Sequence, residues 1–476
     1  MALWTATEAA AATGGKTQGD WQATGVSIDS RSLERGDLFV ALKDQRDGHE
    51  FVAAALEKGA AAALVSHRPE GVDADAPLLI VPDVQAALEA LGRAARQRCQ
   101  ARVVAITGSV GKTSTKDMLR TVLAGQGRVH ASEQSLNNHW GVPLTLARMP
   151  ADSQFAIFEI GMNHPGEITP LSRLVRPHVA LITTVAEAHM AAFADIGEIA
   201  RAKAEVFAGI EPGGTAILNL DIASFDILAD AAKAKAARII TFGQDKAADY
   251  RLDALRQHAS ATSVDANLGG TEALFKIMAP GRHLAMNAMA VLACVAAVGG
   301  DLTLATLDLG QWQPPAGRGQ RHLIRLDRTE PELSLELIDD AYNANPASMA
   351  AAFEVLAGSQ PVDCIGRIRR GRRIAFLTDM LELGPDEAAR HAALAELPDL
   401  LAVDMVHLAG PLMKHLYASL PMEIQGEWHA DARELAVRVH KLLDAGDVVL
   451  VKGSKGSRAA LVVDAIKKLS QAVGEA

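Results

Sequence analysis

Residues 103 to 114 read Val103-Val104-Ala105-Ile106-Thr107-Gly108-Ser109-Val110-Gly111-Lys112-Thr113-Ser114. The apolar residues predict a buried strand, the two glycines a turn, and Lys112 the start of a helix that runs to about Leu123. Glycines let backbone N–H groups converge on phosphates, and a helix N-terminus adds partial positive charge. The stretch therefore predicts a nucleoside triphosphate site, in which Lys112 reaches the terminal phosphates and the Thr113 hydroxyl can ligate Mg²⁺.

This loop is shorter than the standard phosphate-binding motif. The standard motif has four residues between its glycines, which would require glycine at position 106, where this chain has Ile106. A chance Gly-Lys-Thr in a surface loop is the alternative interpretation. Its position directly after an apolar strand favours phosphate binding.

Length and composition predict a soluble globular protein of about three domains, at roughly 150 residues each. The 476 residues are 49% hydrophobic and 22% charged, and the net charge of −10 argues against general nucleic-acid binding. The longest apolar run, 289–298, is shorter than the roughly 20 residues that cross a membrane. We therefore expect no membrane insertion.

The cysteines and the N-terminus predict a cytoplasmic protein. Cys99, Cys294 and Cys364 are far apart and odd in number, which fits neither a disulfide framework nor a metal cluster. The first 15 residues have no basic region of the kind that opens a signal peptide.

The N-terminal unit, residues 1–98, is predicted to be a small α/β domain. Its polar clusters Ser27–Arg31 and Asp47–His49 border strands, where ligand-binding loops often lie. Turn formation, with Asp and Ser side chains capping the backbone, is the alternative explanation for both clusters.

In the second unit, residues 99–315, Glu159 ends an apolar strand that begins at Phe155. Ligands of open α/β sheets bind beyond the carboxyl ends of strands, so Glu159 is a predicted Mg²⁺ ligand. The alternative, an edge-strand carboxylate facing water, is less favoured because its neighbours on the strand are apolar. A predicted helix from about residue 195 to 208 carries Lys203 on its apolar face. The amine of Lys203 either reaches back to water or points into the site.

Two further features of this unit stay open. His283 and Asn287 are four residues apart and share a helix face, so they either belong to a capped helix start or contact a nucleotide base. Arg318 lies between glycines in a linker of residues 310–321, and is either a flexible linker charge or a mobile phosphate ligand.

The third unit, residues 316–476, alternates strands with helices, which predicts a Rossmann-like parallel sheet. Polar residues follow three of its strands, at 339–346, at Asp379 and at 452–454, and this repetition favours a ligand-binding edge. The run 366–373 has five arginines without interleaved aromatic residues, so we interpret it as a solvated loop.

Together these motifs make the chain resemble the Mur ligases, the ATP-dependent amide-forming enzymes of peptidoglycan synthesis. The resemblance covers the whole chain and rests on the short phosphate loop, on Asn137-Asn138-x-x-Gly141-Val142-Pro143-Leu144, and on Glu159-Ile160-Gly161-Met162-Asn163. His189, Lys203 and Asn287 also match the family pattern. Residues 29–31, 47–49, 339–346 and 379–384 are similar to the members that add D-alanyl-D-alanine. Thr378, where the family usually has glycine, and the basic run are departures.

The resemblance implies three domains: an N-terminal domain for the UDP-linked substrate, a central ATPase domain with a parallel sheet, and a C-terminal ligase domain. It implies an ADP-forming ligation of D-Ala-D-Ala to UDP-MurNAc-tripeptide through an acyl phosphate, with ATP and two Mg²⁺ sites. A monomer is expected. The rival hypotheses are another Mur-type or folylpolyglutamate-type ligase, a P-loop NTPase without ligase activity, and an inactive scaffold.

The resemblance also assigns residues. The implied catalytic residues are Lys112, Lys203, His189 and Arg318. The implied ATP ligands are Thr107, Gly108, Ser109, Val110, Gly111, Lys112, Thr113, Ser114, Asn287, Arg318, Asp340 and Asn343. The implied Mg²⁺ ligands are Thr113, Glu159, His189 and, if its amine is carboxylated by CO₂, Lys203. The implied ligands of the peptide and UDP-sugar substrates are Ser30, Arg31, Asp47, His49, Asn137 and Asn138.

Overall fold

The computed structural model describes residues 2–133, 135–188, 190–235 and 237–475, with side chains up to residue 470. His189, one of the predicted site residues, lies outside the described residues. The described part of the chain forms three large mixed sheets, each confined to one of the three predicted units. The predicted three-domain α/β architecture is thereby confirmed, while the boundaries at residues 98 and 315 stay predictions.

The N-terminal sheet has the strand order β2-β7-β6-β5-β4, parallel except for β2. A two-stranded antiparallel ribbon of β1 and β3 lies beside it. The strands are β1 (Trp4–Thr5), β2 (Lys16–Gln18), β3 (Gln22–Ala23), β4 (Gly25–Ser27), β5 (Asp37–Val40), β6 (Ala62–Val65) and β7 (Leu78–Ile80). The helices are α1 (Ala6–Thr13), α2 (Val52–Glu57) and α3 (Val84–Arg98).

The central sheet has the order β16-β15-β14-β13-β12-β11-β8-β10-β9. Its strands are β8 (Arg102–Thr107), β9 (Val129–Ala131), β10 (Phe155–Glu159), β11 (Val179–Ile182), β12 (Thr215–Asn219), β13 (Arg238–Gly243), β14 (Tyr250–Gln257), β15 (Thr262–Leu268) and β16 (Thr271–Ile277). Its helices are α4 (Lys112–Ala124), α5 (Gly141–Ala147), α6 (Ile168–Val175), α7 (Ile196–Ala204), α8 (Phe225–Lys233), α9 (Arg282–Ala297) and α10 (Leu302–Leu309). The central strand β8 lies between β10 and β11, parallel to both, so the chain reverses direction across the sheet at the phosphate loop. Ligands of open α/β sheets bind at such a switch point.

The predicted parallel sheet is confirmed from β9 to β14, but the antiparallel extension beyond β14 was not predicted. Strands β14, β15 and β16 form this extension. Gly269 and Gly270, both at positive φ, form the tight turn between β15 and β16. Buried and half-buried residues alternate along β15 because only one face packs on the core, as in antiparallel sheets generally.

The C-terminal sheet has the order β17-β18-β22-β19-β20-β21, parallel except for β17. Its strands are β17 (Gln320–Arg325), β18 (Ser334–Asp340), β19 (Arg373–Thr378), β20 (Met405–Ala409), β21 (Gln425–His429) and β22 (Val448–Lys452). Its helices are α11 (Pro346–Ala357), α12 (Glu387–Ala392), α13 (Pro398–Leu401), α14 (Met413–Ser419), α15 (Ala432–Leu442) and α16 (Ala460–Glu475). Asp340 and Lys452 are register partners at adjacent strand ends. Polar residues predicted at the ends of two different strands, Asp340 and Lys452, therefore lie side by side at one edge of this sheet.

The apolar core of the N-terminal domain includes residues of the central domain. Leu144 and Ala147 of α5 pack with the N-terminal core residues, and the indole N–H of Trp4 donates to the Ala147 carbonyl at 2.8 Å. The Arg148 guanidinium also donates to the Val26 carbonyl at 2.6 Å. This packing fixes the N-terminal domain on the central one. No helix in the described residues is long and apolar enough to cross a membrane.

The basic run at 366–373 is a loop whose residues 367–370 are exposed, as its composition predicts, but the end of the run is held by contacts that the sequence did not predict. Asp447, which is 1% exposed, accepts two hydrogen bonds from the Arg372 guanidinium, at 3.1 and 2.6 Å. Arg373 donates to the Ser359 carbonyl at 2.9 Å, and Arg367 pairs with Asp444 at 3.4 Å. These contacts could not be predicted because the acidic partners of Arg367 and Arg372 lie about 75 residues away along the chain.

The Arg372 ion pair gives a stability prediction. Arg372→Ala leaves the buried Asp447 carboxylate without its countercharge, so we expect the free energy of unfolding to fall by about 3 kcal/mol. Arg369→Ala is the matched control in the same run, because that side chain is exposed. It should change the free energy by less than about 0.5 kcal/mol. Urea unfolding of both variants measures the difference, and equal effects would contradict the assignment.

Candidate active site

The phosphate loop joins β8 to α4 in a conformation that requires its glycines. Gly108 and Gly111 have φ of 151° and 86°, in the region that L side chains rarely adopt. A Cβ on Gly108 would lie 1.9 Å from the Thr183 hydroxyl, and one on Gly111 would lie 2.8 Å from Oδ1 of Asn287. The loop is therefore closely packed from two sides, which leaves its backbone N–H groups to define the phosphate site.

Lys112 lies at the first turn of α4, where its Nζ donates to the Gly108 carbonyl at 2.7 Å. Burial lowers its pKa, and the Glu159 carboxylate opposes that shift. The Lys112 amine is thus hydrogen-bonded to the phosphate loop itself, at the base of the space where phosphates would bind.

Glu159 is a buried carboxylate with polar partners on both of its oxygens. It is 1% exposed at the end of β10. Oε2 accepts a hydrogen bond from the Thr113 hydroxyl at 3.0 Å and lies 3.4 Å from the Lys116 amine. Oε1 accepts from the Asn137 amide at 2.8 Å. The predicted Thr113–Glu159 pair is thus formed, and the alternative of a water-facing Glu159 is excluded.

Lys203 does not reach water, so the interpretation in which its amine returns to solvent is wrong, while its role in the site stays a prediction. It is 2% exposed on α7, and no carboxylate of the described residues is among the charges that shift the pKa of its amine. Burial, with the nearby charge of Lys112, lowers the pKa of its amine well below the usual range. A lysine in this environment holds a neutral amine at a pH where surface lysines are cations.

The C-terminal domain contributes a second cluster of polar residues, formed by Asp340, Asn343 and Lys452. The Lys452 amine lies 2.6 Å from Oδ2 of Asp340 and donates to the Asn343 carbonyl at 3.1 Å. Burial raises the pKa of Asp340, and Lys452 opposes the shift. These contacts hold Asp340 and the segment after β18 at the edge of the sheet.

Arg318 connects the polar residues around the phosphate loop with those of the C-terminal domain. Its guanidinium stacks on the Tyr342 ring, 3.9 Å from the centroid, and donates to the Thr113 hydroxyl at 3.0 Å. Of the two interpretations of this arginine, the structure favours a phosphate ligand over a flexible linker charge. One face of the guanidinium packs on the Tyr342 ring, while its edge reaches the Thr113 hydroxyl.

One cavity of about 810 Å³ between the central and C-terminal domains is lined by Lys112, Thr113, Asn137, Glu159, Arg318, Asp340, Tyr342, Asn343 and Lys452. Lys116 and Lys203 are not among the residues that line it. Of the predicted ATP ligands, the lining includes Ser109, Val110, Gly111, Lys112, Thr113, Ser114, Asn287, Arg318, Asp340 and Asn343. Thr107 and Gly108 lie behind this surface, where they close the loop. His283 also faces the cavity, and burial together with Lys452 lowers its pKa to about 4. Because α9 has no side-chain cap, the capped-start alternative for His283 and Asn287 is not favoured.

The predicted substrate residues of the N-terminal domain do not line this cavity. Arg31 is exposed and pairs with Asp29 at 2.7 Å. Asp47 accepts from the His49 backbone and lies against its ring, at 3.0 and 2.6 Å. The Ser30 carbonyl accepts a hydrogen bond from the Lys58 amine. These contacts are largely turn chemistry, as the alternative explanation expects, and leave a ligand role untested.

Asn137 and Asn138 have different neighbours. Asn137 lines the cavity, and its amide orients Glu159. Asn138 accepts from the Gly141 backbone at 2.9 Å and so caps the start of α5. A substrate contact by either residue stays a prediction.

Three residues at the site were given no role by sequence reasoning. Lys116 lies one helical turn after Thr113, on the same face of α4. Once Thr113 was predicted to lie beside Glu159, this spacing could have predicted that Lys116 lies there too. Tyr342 and Lys452 were noted only as members of polar segments. Their partners, Arg318 and Asp340, come from other elements, so no local pattern could have paired them.

The donor set fits Mg²⁺ bound together with a nucleotide. A hydroxyl and a carboxylate oxygen are hard ligands, and Mg²⁺ usually takes one or two such protein ligands plus phosphates and water. Among the described residues no group of three or more His, Cys, Asp or Glu could hold a metal ion alone. The site therefore suits an ion that arrives with its phosphates.

Comparison with known proteins identifies the family. Three family models match: the Mur ligase catalytic domain at residues 22–97, the Mur ligase middle domain at 106–295 and the glutamate ligase domain of Mur ligases at 325–455. The UDP-N-acetylmuramoyl-tripeptide–D-alanyl-D-alanine ligase of Escherichia coli is 36% identical, over 96% of both chains. The chain belongs to the Mur ligase family. The enzyme of the same name from Rickettsia prowazekii is 32% identical over 92% of this chain and 94% of its own.

Solved structures support the same assignment of this Mur ligase. A crystal structure of MurF from Acinetobacter baumannii superposes with a TM-score of 0.81 at 30% identity, covering 98% of this chain and 99% of that one. MurF of Thermotoga maritima, solved in complex with ADP, shares the fold with a TM-score of 0.75 at 23% identity, over 94% of this chain and 98% of that one. The predicted resemblance to an ATP-dependent Mur ligase is confirmed.

The position of Arg318 in this ligase gives a test of the cavity. Arg318→Lys keeps the charge but loses the planar contact with Tyr342 and the forked donor to Thr113. We expect kcat/KM for ATP to fall about a hundredfold, the effect of removing one donor to transition-state charge. Arg325→Lys, an exposed arginine on β17, is the control. Steady-state kinetics that do not separate the two variants would contradict this role.

Proposed function

We propose that this Mur ligase joins D-alanyl-D-alanine to UDP-N-acetylmuramoyl-tripeptide in the cytoplasm, with hydrolysis of ATP to ADP and phosphate. One observation carries the proposal: relatives of that name align over nearly the entire chain, and the residues expected to handle ATP line a single cavity. A P-loop NTPase without ligase activity would not need the C-terminal group of Arg318, Asp340 and Lys452 in that cavity.

In the first step, the γ-phosphoryl group of ATP passes to the terminal carboxylate of the tripeptide, which gives an acyl phosphate and ADP. Both reactants are anions, so the protein must mainly cancel charge and align them. Lys112 from the phosphate loop and Arg318 from the linker supply cations on two sides of the cavity. Thr113 and Glu159 would hold the Mg²⁺, which neutralises phosphate charge when bound.

In the second step, the amine of D-alanyl-D-alanine attacks the acyl carbon, the new amide bond forms, and phosphate leaves with the C–O electron pair. The attacking amine loses a proton, and the acyl phosphate must be kept from water until then. The C-terminal domain already covers the cavity in this structure, with Ala347, Ala351 and Glu354 of α11 facing Arg282 and Met286 of α9. Closure of this kind excludes water from the intermediate.

The remaining predicted residues have proposed roles in substrate and metal binding. Ser30, Arg31, Asp47 and His49 would bind the UDP-sugar end, away from the reaction. His189, outside the described residues, would ligate a second Mg²⁺. The proposed enzyme acts as a monomer.

Phosphate release from Mg-ATP tests the reaction. With UDP-N-acetylmuramoyl-tripeptide present, we expect release to require D-alanyl-D-alanine, because without the dipeptide the acyl phosphate has no acceptor. The product mass should be that of the UDP-pentapeptide. Free D-alanine, L-lysine and diaminopimelate serve as controls. Release that ignores every amine would indicate an NTPase, and use of a free amino acid would indicate another Mur step.

We also propose that the Lys203 amine is carboxylated by CO₂ and then acts as an anionic ligand in the second metal site. The proposal is supported by the burial of Lys203 and the lowered pKa of its amine, since only a neutral amine attacks CO₂. Nitrogen forms a bond to the carbon of CO₂ and loses a proton to give the carbamate.

Carboxylation of Lys203 predicts a bicarbonate requirement. After growth or incubation with ¹³C-bicarbonate, the protein should show one carbamate carbon by NMR, and activity should fall when CO₂ is removed. Lys203→Arg should lose both the signal and the activity because a guanidinium stays protonated. Lys233→Arg, at an exposed position, is the control. A carbamate signal that persists in Lys203→Arg would place the modification elsewhere.

A further inference from the structure

The segment after β11 touches both the phosphate loop and the C-terminal domain. We call residues 183–188 and 190–192, the described part of this segment, the β11 loop. It begins at the carboxyl end of β11, directly beside β8, and ends at a single helical turn, Met190–Ala192.

The first half of the β11 loop is hydrogen-bonded to the phosphate loop. The Ser109 hydroxyl donates to the Ala186 carbonyl at 2.9 Å and accepts from the Ala186 N–H at 3.0 Å. The Ser109 N–H donates to the Thr184 carbonyl at 2.9 Å. The Thr183 hydroxyl donates to the Val110 carbonyl at 2.6 Å. A shift of this half of the loop would therefore move the phosphate loop as well.

The second half of the β11 loop contacts the C-terminal domain. The Glu187 carboxylate forms an ion pair with the guanidinium of Arg390 on α12. The turn at Met190–Ala192 packs on the turn at Gly384–Asp386. Gly384 has φ of 76°, and a Cβ there would lie 3.1 Å from the Met190 backbone. The two turns are thus in close contact.

We propose that Glu187 and Arg390 are positioning residues, which link closure of the C-terminal domain to the conformation of the phosphate loop. Glu187 directly follows Ala186, which is hydrogen-bonded to the phosphate loop, whereas Arg390 belongs to the C-terminal domain. The ion pair joins the two domains, so it would be lost if they separated, and it therefore favours the closed arrangement. Nucleotide binding and closure then favour each other through the β11 loop. The inference rests on the proposed function only for its account of domain closure.

The geometry distinguishes this contact from the polar bridge that Glu354 forms across the cleft. Glu354 of α11 accepts from Gln257 at 3.0 Å and lies 3.8 Å from Arg282. That bridge lies on the antiparallel extension and α9, away from the β11 loop. Arg390 is only 16% exposed and Glu187 39%, so their pair is shielded from solvent more than most surface pairs.

Binding of ADP with Mg²⁺, measured by calorimetry without peptide substrates, tests the inference. In Arg390→Gln and in Glu187→Gln we expect the dissociation constant to rise about fivefold, at the lower end of typical coupling between sites. The double variant Glu187→Arg/Arg390→Glu restores an ion pair of opposite polarity and should bind ADP more tightly than either single variant. Arg251→Gln, which removes an ion pair within one strand, is the control.

Two further measurements separate positioning from folding. Small-angle X-ray scattering with ADP should show a larger radius of gyration for the single variants, while their urea midpoints stay at the wild-type value. Wild-type ADP affinity in both single variants, or no recovery in the reversed pair, would overturn the inference. Because ADP binding needs no peptide substrate, this outcome is distinct from failure of the proposed ligation.

Discussion

The buried carboxylate of Glu159 is the constraint on which the site depends. A charge that is 1% exposed is costly unless it is hydrogen-bonded and paired, and here the hydroxyl of Thr113, the amide of Asn137 and the amine of Lys116 provide the partners. These partners come from α4 and from the turn before α5. The carboxylate therefore fixes how β10 is placed against the phosphate loop, which in turn requires β8 and β10 to be neighbours.

The order of the strands explains why the site lies in a cleft between two domains. Because β8 has β10 on one side and β11 on the other, three carboxyl ends meet at the phosphate loop. The C-terminal sheet places Asp340 and Lys452 on adjacent strands in the same manner. The carboxyl ends of the strands in the two sheets face each other across the cleft, and Arg318 extends from one domain to the other. The site is therefore formed by both domains together and by neither alone.

Locally encoded parts of this arrangement could be predicted from the sequence. The phosphate loop, Glu159 at a strand end and Lys203 on an inward helix face all follow from short-range periodicity, and the structure places each as expected. Contacts between distant segments could not be predicted this way. Arg372 appears in a run that looks solvent-exposed until Asp447, 75 residues later, is brought beside it. The Glu187–Arg390 pair likewise joins residues about 200 positions apart, and neither lies in a recognisable motif.

The charges in the cleft explain why closure and nucleotide binding should depend on each other. Among the described residues, the cations that line the cleft are Lys112, Arg282, Arg318, Lys452 and Lys455, and the carboxylates that line it are Glu159, Asp340, Glu354, Glu382 and Asp399. These five cations balance the five carboxylates, so the cleft is less negative than the protein as a whole, whose net charge is −10. Lys112 comes from the central domain and Arg318 from the C-terminal one, so closure brings their like charges together. Like charges brought together by domain closure repel each other unless an anion lies between them. A polyphosphate in the cleft removes that repulsion, and a closed cleft strengthens each of its contacts with the phosphates by excluding water. The β11 loop adds a structural connection to this electrostatic one, since it is hydrogen-bonded to the phosphate loop through the Ser109 and Thr183 hydroxyls and joined to the C-terminal domain by one ion pair.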